Sequence, residues 1–62
     1  MTLKDRRQAA GLTQKGLAGA AAMNLRQIQK IEAGEIRIEN ITLGNAKKLA
    51  DALGVQIEAL LD

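Results

Sequence analysis

The sequence predicts an all-α fold, a compact bundle of five short helices, and three observations predict it. Its 62 residues are 47% apolar without a single Phe, Trp or Tyr, so the core must be built from Leu, Ile, Val, Ala and Met, which favours thin helical packing over a sheet. Four residues of the N-cap type, Thr2, Thr13, Asn24 and Thr42, each precede a segment with apolar residues at helical spacing. Three of those segments run into a glycine, Gly11, Gly34 or Gly54, as expected where a helix ends in left-handed backbone.

Taken in order, Thr2 caps a first helix over Leu3 to Ala10, with Asp5 well placed in its first turn and Gly11 as terminator. Leu12 and Thr13 open a second segment, Gln14 to Ala21, whose Leu17, Ala18 and Ala21 share one face. Gly16 and Gly19 each weaken that helix by roughly 1 kcal/mol relative to alanine. Asn24 caps a third, Leu25 to Ala33, with Ile28 and Ile31 inward and Leu25, Arg26, Gln29 and Lys30 on its other faces. From Glu35 to Ile41 the pattern alternates, but one isolated strand has no partner, so it reads as an extended loop whose isoleucines pack onto the helices. Thr42 caps a fourth helix, Leu43 to Leu53, and Gly54 ends it. Val55, Ile57, Leu60 and Leu61 then form a last short helix or turn covering the core, with Gln56, Glu58 and Asp62 in water.

At this length the whole chain, residues 1–62, is one domain, near the size at which a hydrophobic core only just offsets the entropy of ordering the backbone. No repeat, linker or low-complexity tail divides it. The absence of cysteine and histidine removes disulfides, thiolate and imidazole metal sites and the usual nucleophile and base pairs. With only carboxylates and amines left for chemistry and little room for a pocket, the expectation is no enzyme, no metal and no cofactor. Without aromatics, base stacking on single strands or RNA is also disfavoured. The net charge is only +2 although the pI is about 9.4, so any role toward nucleic acid must rest on where the nine Lys and Arg sit. The longest uncharged run, Gly16 to Leu25, is too short to span a bilayer, and the N-terminus lacks the order of a signal peptide. A cytoplasmic protein with no membrane partner is expected.

The second and third helices are separated only by Ala22, Met23 and Asn24, the connection length of a DNA-binding helix-turn-helix. Such a turn sets the second of the two helices across the first and lets its N-terminal half enter a groove. The run LTQKGLAGAAAMNLRQIQKIEAG resembles the Cro/CI repressor-like family, also called the Xre family, in its LTQxxLA opening, its apolar residue before a polar N-cap and its closing ExG. The resemblance continues in LADALGV and the terminal IEALL, and so covers nearly the whole chain.

What the resemblance implies is a lambda-repressor-like domain with the helix-turn-helix at helices 2 and 3. Helix 3 would read bases in double-stranded DNA through Asn24, Leu25, Arg26, Gln29 and Lys30. Arg26 and Lys30 would donate to guanine and Gln29 would pair with adenine; Leu25, where relatives often carry a polar base reader, would instead touch a thymine methyl. Gln14, at the start of helix 2, would donate to a phosphate, a contact that the free N–H groups of a helix start favour. Lys15 and Arg37 join it through charge, whereas Lys47 and Lys48 read better as ordinary solvated charges. Arg7 and Glu32 hold positions where the family often has a buried ion pair.

The chain also departs from that pattern. Ala22 stands where glycine is usual, and a non-glycine residue at positive φ costs on the order of 1 kcal/mol; either the turn tolerates the strain or helices 2 and 3 meet differently. Arg6 and Ala21 replace larger apolar residues, so the core beneath helix 2 should be underfilled. The segment between Gly34 and Thr42 is longer than the commonest form and lacks its proline. The implied function is a transcriptional regulator, a repressor or antitoxin-type autoregulator, acting as a homodimer, with a toxin or other protein as a further partner. The alternative is a protein-interaction module on the same scaffold that has lost DNA binding. Exposed Leu and Ile of the Glu35 to Ile41 loop and of the C-terminal helix are the expected dimer contact.

Overall fold

The computed structural model describes residues 2–61. Among them there are four α-helices, α1 (Leu3–Ala9), α2 (Gln14–Ala20), α3 (Leu25–Glu32) and α4 (Leu43–Leu53), and two 3-10 turns, Ile38–Asn40 and Ile57–Leu61, with no strand. The all-helical expectation holds. Two of its details change. The Glu35 to Ile41 loop contains a 3-10 turn rather than being extended throughout, although Ile36, Ile38 and Ile41 do pack on the core. The fifth helix is a 3-10 turn, and only part of it covers the core: Leu60 is buried, whereas Leu61 is 56% exposed. Gln56 and Glu58 are exposed, and Asp62 lies outside the described residues.

Each helix starts on the residue that local chemistry selects. Oγ1 of Thr2, Thr13 and Thr42 accepts the N–H of Asp5, Gly16 and Asn45 at 3.2, 2.9 and 3.1 Å, and Oδ1 of Asn24 accepts the N–H of Arg26 at 2.7 Å. Each bond satisfies a donor that the first helical turn leaves without a partner. At α1 the cap is reciprocal, because Thr2 N–H donates to Asp5 Oδ2 at 3.0 Å. That bond and the Thr2 hydroxyl hold the Asp5 carboxyl below its ordinary range.

The helix ends are equally uniform. After α1, Leu12 N–H donates to Arg7 O and Gly11 N–H to Gln8 O; after α3, Glu35 and Gly34 repeat the pattern onto Lys30 and Ile31; after α4, Val55 and Gly54 repeat it onto Ala50 and Asp51. This paired closure needs one residue in left-handed backbone, supplied by Gly11 (φ 74°), Gly34 (φ 83°) and Gly54 (φ 69°). The same two bonds close α2, from Met23 to Ala18 O at 2.9 Å and from Ala22 to Gly19 O at 3.3 Å. Here the left-handed residue is Ala22, at φ 52°. Of the two alternatives that the sequence leaves open, the turn keeps its geometry and the alanine takes the strain.

The core is Leu3, Leu17, Ala18, Ala21, Ile28, Ile31, Leu49, Ala50 and Leu60, with Leu17, Ile28 and Leu49 at 0% exposure. α2 packs most extensively on α3, then on α4; α1 leans on α3, and the last turn closes over α4 and the first 3-10 turn. The body is nearly isometric, 23 × 22 × 20 Å. All three apolar residues assigned to the inner face of α2 are buried, and small residues at Ala18 and Ala21 let it approach its neighbours closely. A groove of about 170 Å³ opens beside Arg6, Ala9, Ala10, Leu53 and Val55, between α1 and the end of α4.

Candidate nucleic-acid interface

The turn of Ala21 to Asn24 sets α3 against α2 with its first residues at the surface. Ile28 and Ile31 point into the core, so helical periodicity sends Arg26, Gln29 and Lys30, at i, i+3 and i+4, to one outer face. All three are exposed. Their arrangement is two cations flanking a carboxamide, a set of donors suited to base edges or phosphates. Asn24 is exposed too, but its Oδ1 is committed to the cap, which leaves the amide N–H groups for a ligand. Leu25 is half-buried against the core, so only its outer surface is available.

Behind this face lies a buried polar cluster joining three helices. The Arg7 guanidinium donates from Nε to Glu32 Oε2 at 2.7 Å and from Nη2 to Glu32 Oε1 at 3.1 Å, a bidentate fork. Its Nη1 donates to the Leu12 carbonyl at 2.8 Å, in the turn between α1 and α2. Gln14 Nε2, on the first residue of α2, donates to Glu32 Oε1 at 3.1 Å. The Glu32 side chain is only 4% exposed. Burial by itself would push its carboxyl up; the hydrogen bonds from Arg7 and Gln14 and the nearby positive charge outweigh that and hold it below its ordinary value. The bond to Glu32 in turn raises the Arg7 guanidinium. Glu32 is therefore an anion at neutral pH and locks the C-terminal end of α3 to α1 and α2.

A helix-turn-helix family model matches residues 3–60. The chain belongs to the Cro/CI-type helix-turn-helix family. No curated protein and no solved structure matches it. The family is one of DNA-binding helix-turn-helix transcription regulators.

In this Cro/CI-type domain the other sequence-selected cations are dispersed. Lys15 is exposed on α2 one residue after Gln14. Arg37 is exposed in the loop after α3, where its Nη2 meets Glu39 Oε2 at 2.9 Å; a pair this exposed contributes little and exchanges its partner readily. Lys47 and Lys48 are exposed on α4. Among the described residues no group of three or more His, Cys, Asp or Glu is placed to hold a metal, and no helix is long and apolar enough to cross a membrane.

Two contacts were not anticipated from the sequence: Gln14 to Glu32 and Arg7 to the Leu12 carbonyl. The first spans 18 residues and joins two helices, so no local periodicity signals it. The second was foreshadowed only by Arg7 standing one turn before Gly11, where a long donor can reach the following loop.

Proposed function

We propose that this chain binds double-stranded DNA sequence-specifically, as a transcriptional repressor or antitoxin-type autoregulator in the cytoplasm, with α3 in the major groove and two copies on an inverted repeat. The observation that carries this reading is the outer face of α3: Arg26, Gln29 and Lys30 exposed together over a buried Ile28 and Ile31, in a Cro/CI-type fold. Arg26 and Lys30 donate to guanine O6 and N7, and Gln29 pairs with adenine. Asn24 contributes its amide and Leu25 its outer methyls toward a thymine. Gln14, Lys15 and Arg37 hold the backbone phosphates, fixing register without reading sequence. A single module of this kind buries on the order of 600–1,000 Å² on DNA, which favours pairing for tight specific binding. Leu61 and the groove of about 250 Å³ that it lines with Leu3, Ile31, Ile36 and Ile38 are the proposed contact between copies.

A second reading, a protein-interaction module, is favoured by Leu43, which is 74% exposed at the start of α4, and by the small outer residues Gly19 and Ala20 of α2. Binding to a randomised duplex pool, followed by recovery and sequencing of the bound DNA, separates the two. Enrichment of a palindromic motif with half-sites about one helical turn apart is the outcome expected of a dimeric reader. The absence of binding even at low salt selects the interaction module. In the same assay Arg26→Ala lowers discrimination at one base position by about 1–3 kcal/mol.

A further inference from the structure

We infer that the Gln14 carboxamide is a two-sided clamp, one N–H held by Glu32 and the other offered to a DNA phosphate, so that Glu32 is a positioning residue for a backbone contact it does not itself touch. The inference rests on the DNA-binding reading above and deepens it. A carboxylate accepts but does not donate, so beside Glu32 only the Nε2 side of the Gln14 amide is tolerated and Oε1 turns away. That removes the two-fold freedom a surface glutamine has. One of the two amide hydrogens is spent on Glu32; the other has no partner among the described residues, and Gln14 is half-buried, with its remaining surface toward solvent. Glu32 is in turn fixed by the bidentate Arg7 fork, whose third arm grips the Leu12 carbonyl two residues before Gln14. The donor is therefore held from both ends of the same short stretch, with its rotamer entropy spent before any ligand arrives.

A neutral donor adds affinity without displacing a counterion, which gives this contact a signature that Lys15 lacks. The test is a double-mutant cycle: fluorescence anisotropy on a duplex for the wild-type chain, Gln14→Ala, Glu32→Gln and the double variant, each shown to be folded by circular dichroism at the assay temperature. Each single change is expected to weaken binding about fivefold to tenfold. The double variant is expected to be no weaker than either, and the dependence of log affinity on log salt to keep its slope throughout. Lys15→Ala, by contrast, should lower that slope by about one. Losses that multiply in the double variant, or a Gln14→Ala chain that binds like wild type, overturn the clamp while leaving DNA binding standing. A wild-type chain that binds no duplex overturns both.

Should Glu32→Gln fail to fold, the nitrogen-15 spectrum of the wild-type Gln14 side-chain amide decides. On adding duplex, one of its two protons is expected to move while the other, bonded to Glu32, holds its shift. A Gln14 amide indifferent to DNA overturns the clamp.

Discussion

Helices α2 and α3 are almost the same length, follow one another across a tight turn and pack on each other, yet they are built on opposite plans. α2 puts Leu17 and Ala18, with Ala21 at its C-terminal cap, into the core, while Gly19 and Ala20 face outward and Lys15 is its one charge. α3 buries Ile28 and Ile31 and spends its outward positions on Arg26, Gln29 and Lys30. The turn between them is the one helix end in the described chain closed by alanine rather than glycine. In a domain this small one helix serves as a platform, with little polar surface of its own, so that the next can carry polar donors at a fixed angle.

Removing the shared anchor of the two helices has the largest expected effect. Leu17 and Ile28 are wholly buried from opposite sides of the α2–α3 contact, and Leu17→Ala or Ile28→Ala should each cost about 2–5 kcal/mol. Against the few kcal/mol that a domain of this size has in hand, thermal denaturation should show the variants largely unfolded near room temperature. Retention of a cooperative transition close to that of wild type would mean that the two helices are held elsewhere.

The next effect in size is acid sensitivity at the end of α3. Glu32 titrates below its unfolded value near 4.5 in the folded chain, and Asp5 is also lowered from 3.8. Each carboxylate therefore contributes stability that is fully present above the unfolded value and is lost as pH falls through the folded one. Urea midpoints should be level from pH 7 to about 5 and then fall below about pH 4.5. Glu32→Gln should start lower at neutral pH, because it leaves the Arg7 guanidinium buried beside a neutral amide, and should flatten the acid limb. An unchanged acid limb in that variant would assign the loss to other carboxylates.

Smaller effects are expected at the helix ends and on the outside of α2. Ala22→Gly should stabilise by about 0.5–1 kcal/mol, the relief of left-handed backbone less the entropy that glycine adds to the unfolded chain. Gly34→Ala, at the matching position after α3, should destabilise by about 1 kcal/mol although its added methyl meets nothing within 4 Å. Gly19→Ala, equally unobstructed on the outside of α2, should stabilise by roughly 0.5–1 kcal/mol through helix propensity alone. Opposite signs at Ala22 and Gly34 in chemical denaturation are the check; the same sign would show that the two turns are not equivalent.

The parts of the fold legible in the sequence are those set by a few neighbouring residues. Thr2, Thr13, Asn24 and Thr42 were recognisable as caps because a short polar side chain before an apolar-periodic run has one favourable use. Gly11, Gly34 and Gly54 were recognisable as ends for the converse reason. The outer face of α3 was legible because Ile28 and Ile31 fix which way the helix turns. The form of the C-terminal segment was not, since five residues are too few for a period of 3.6 to be told from one of 3.0. For the same reason the pattern points Leu61 into the core, whereas in the structure it lies outside. At the candidate interface only the resemblance points Gln14 to a phosphate, and its bond to Glu32 exists only because the fold brings α2 and α3 together across 18 residues.

In the proposed complex α3, and not the exposed leucines, is the surface that meets the DNA. A backbone amide chemical-shift map of the nitrogen-15-labelled chain, titrated with duplex DNA, tests it most directly. The largest changes are expected over Asn24 to Lys30, with smaller ones at Gln14, Lys15 and Arg37. Changes confined to Leu43, Leu61 and the groove beside Leu61, or no change at all, would contradict it.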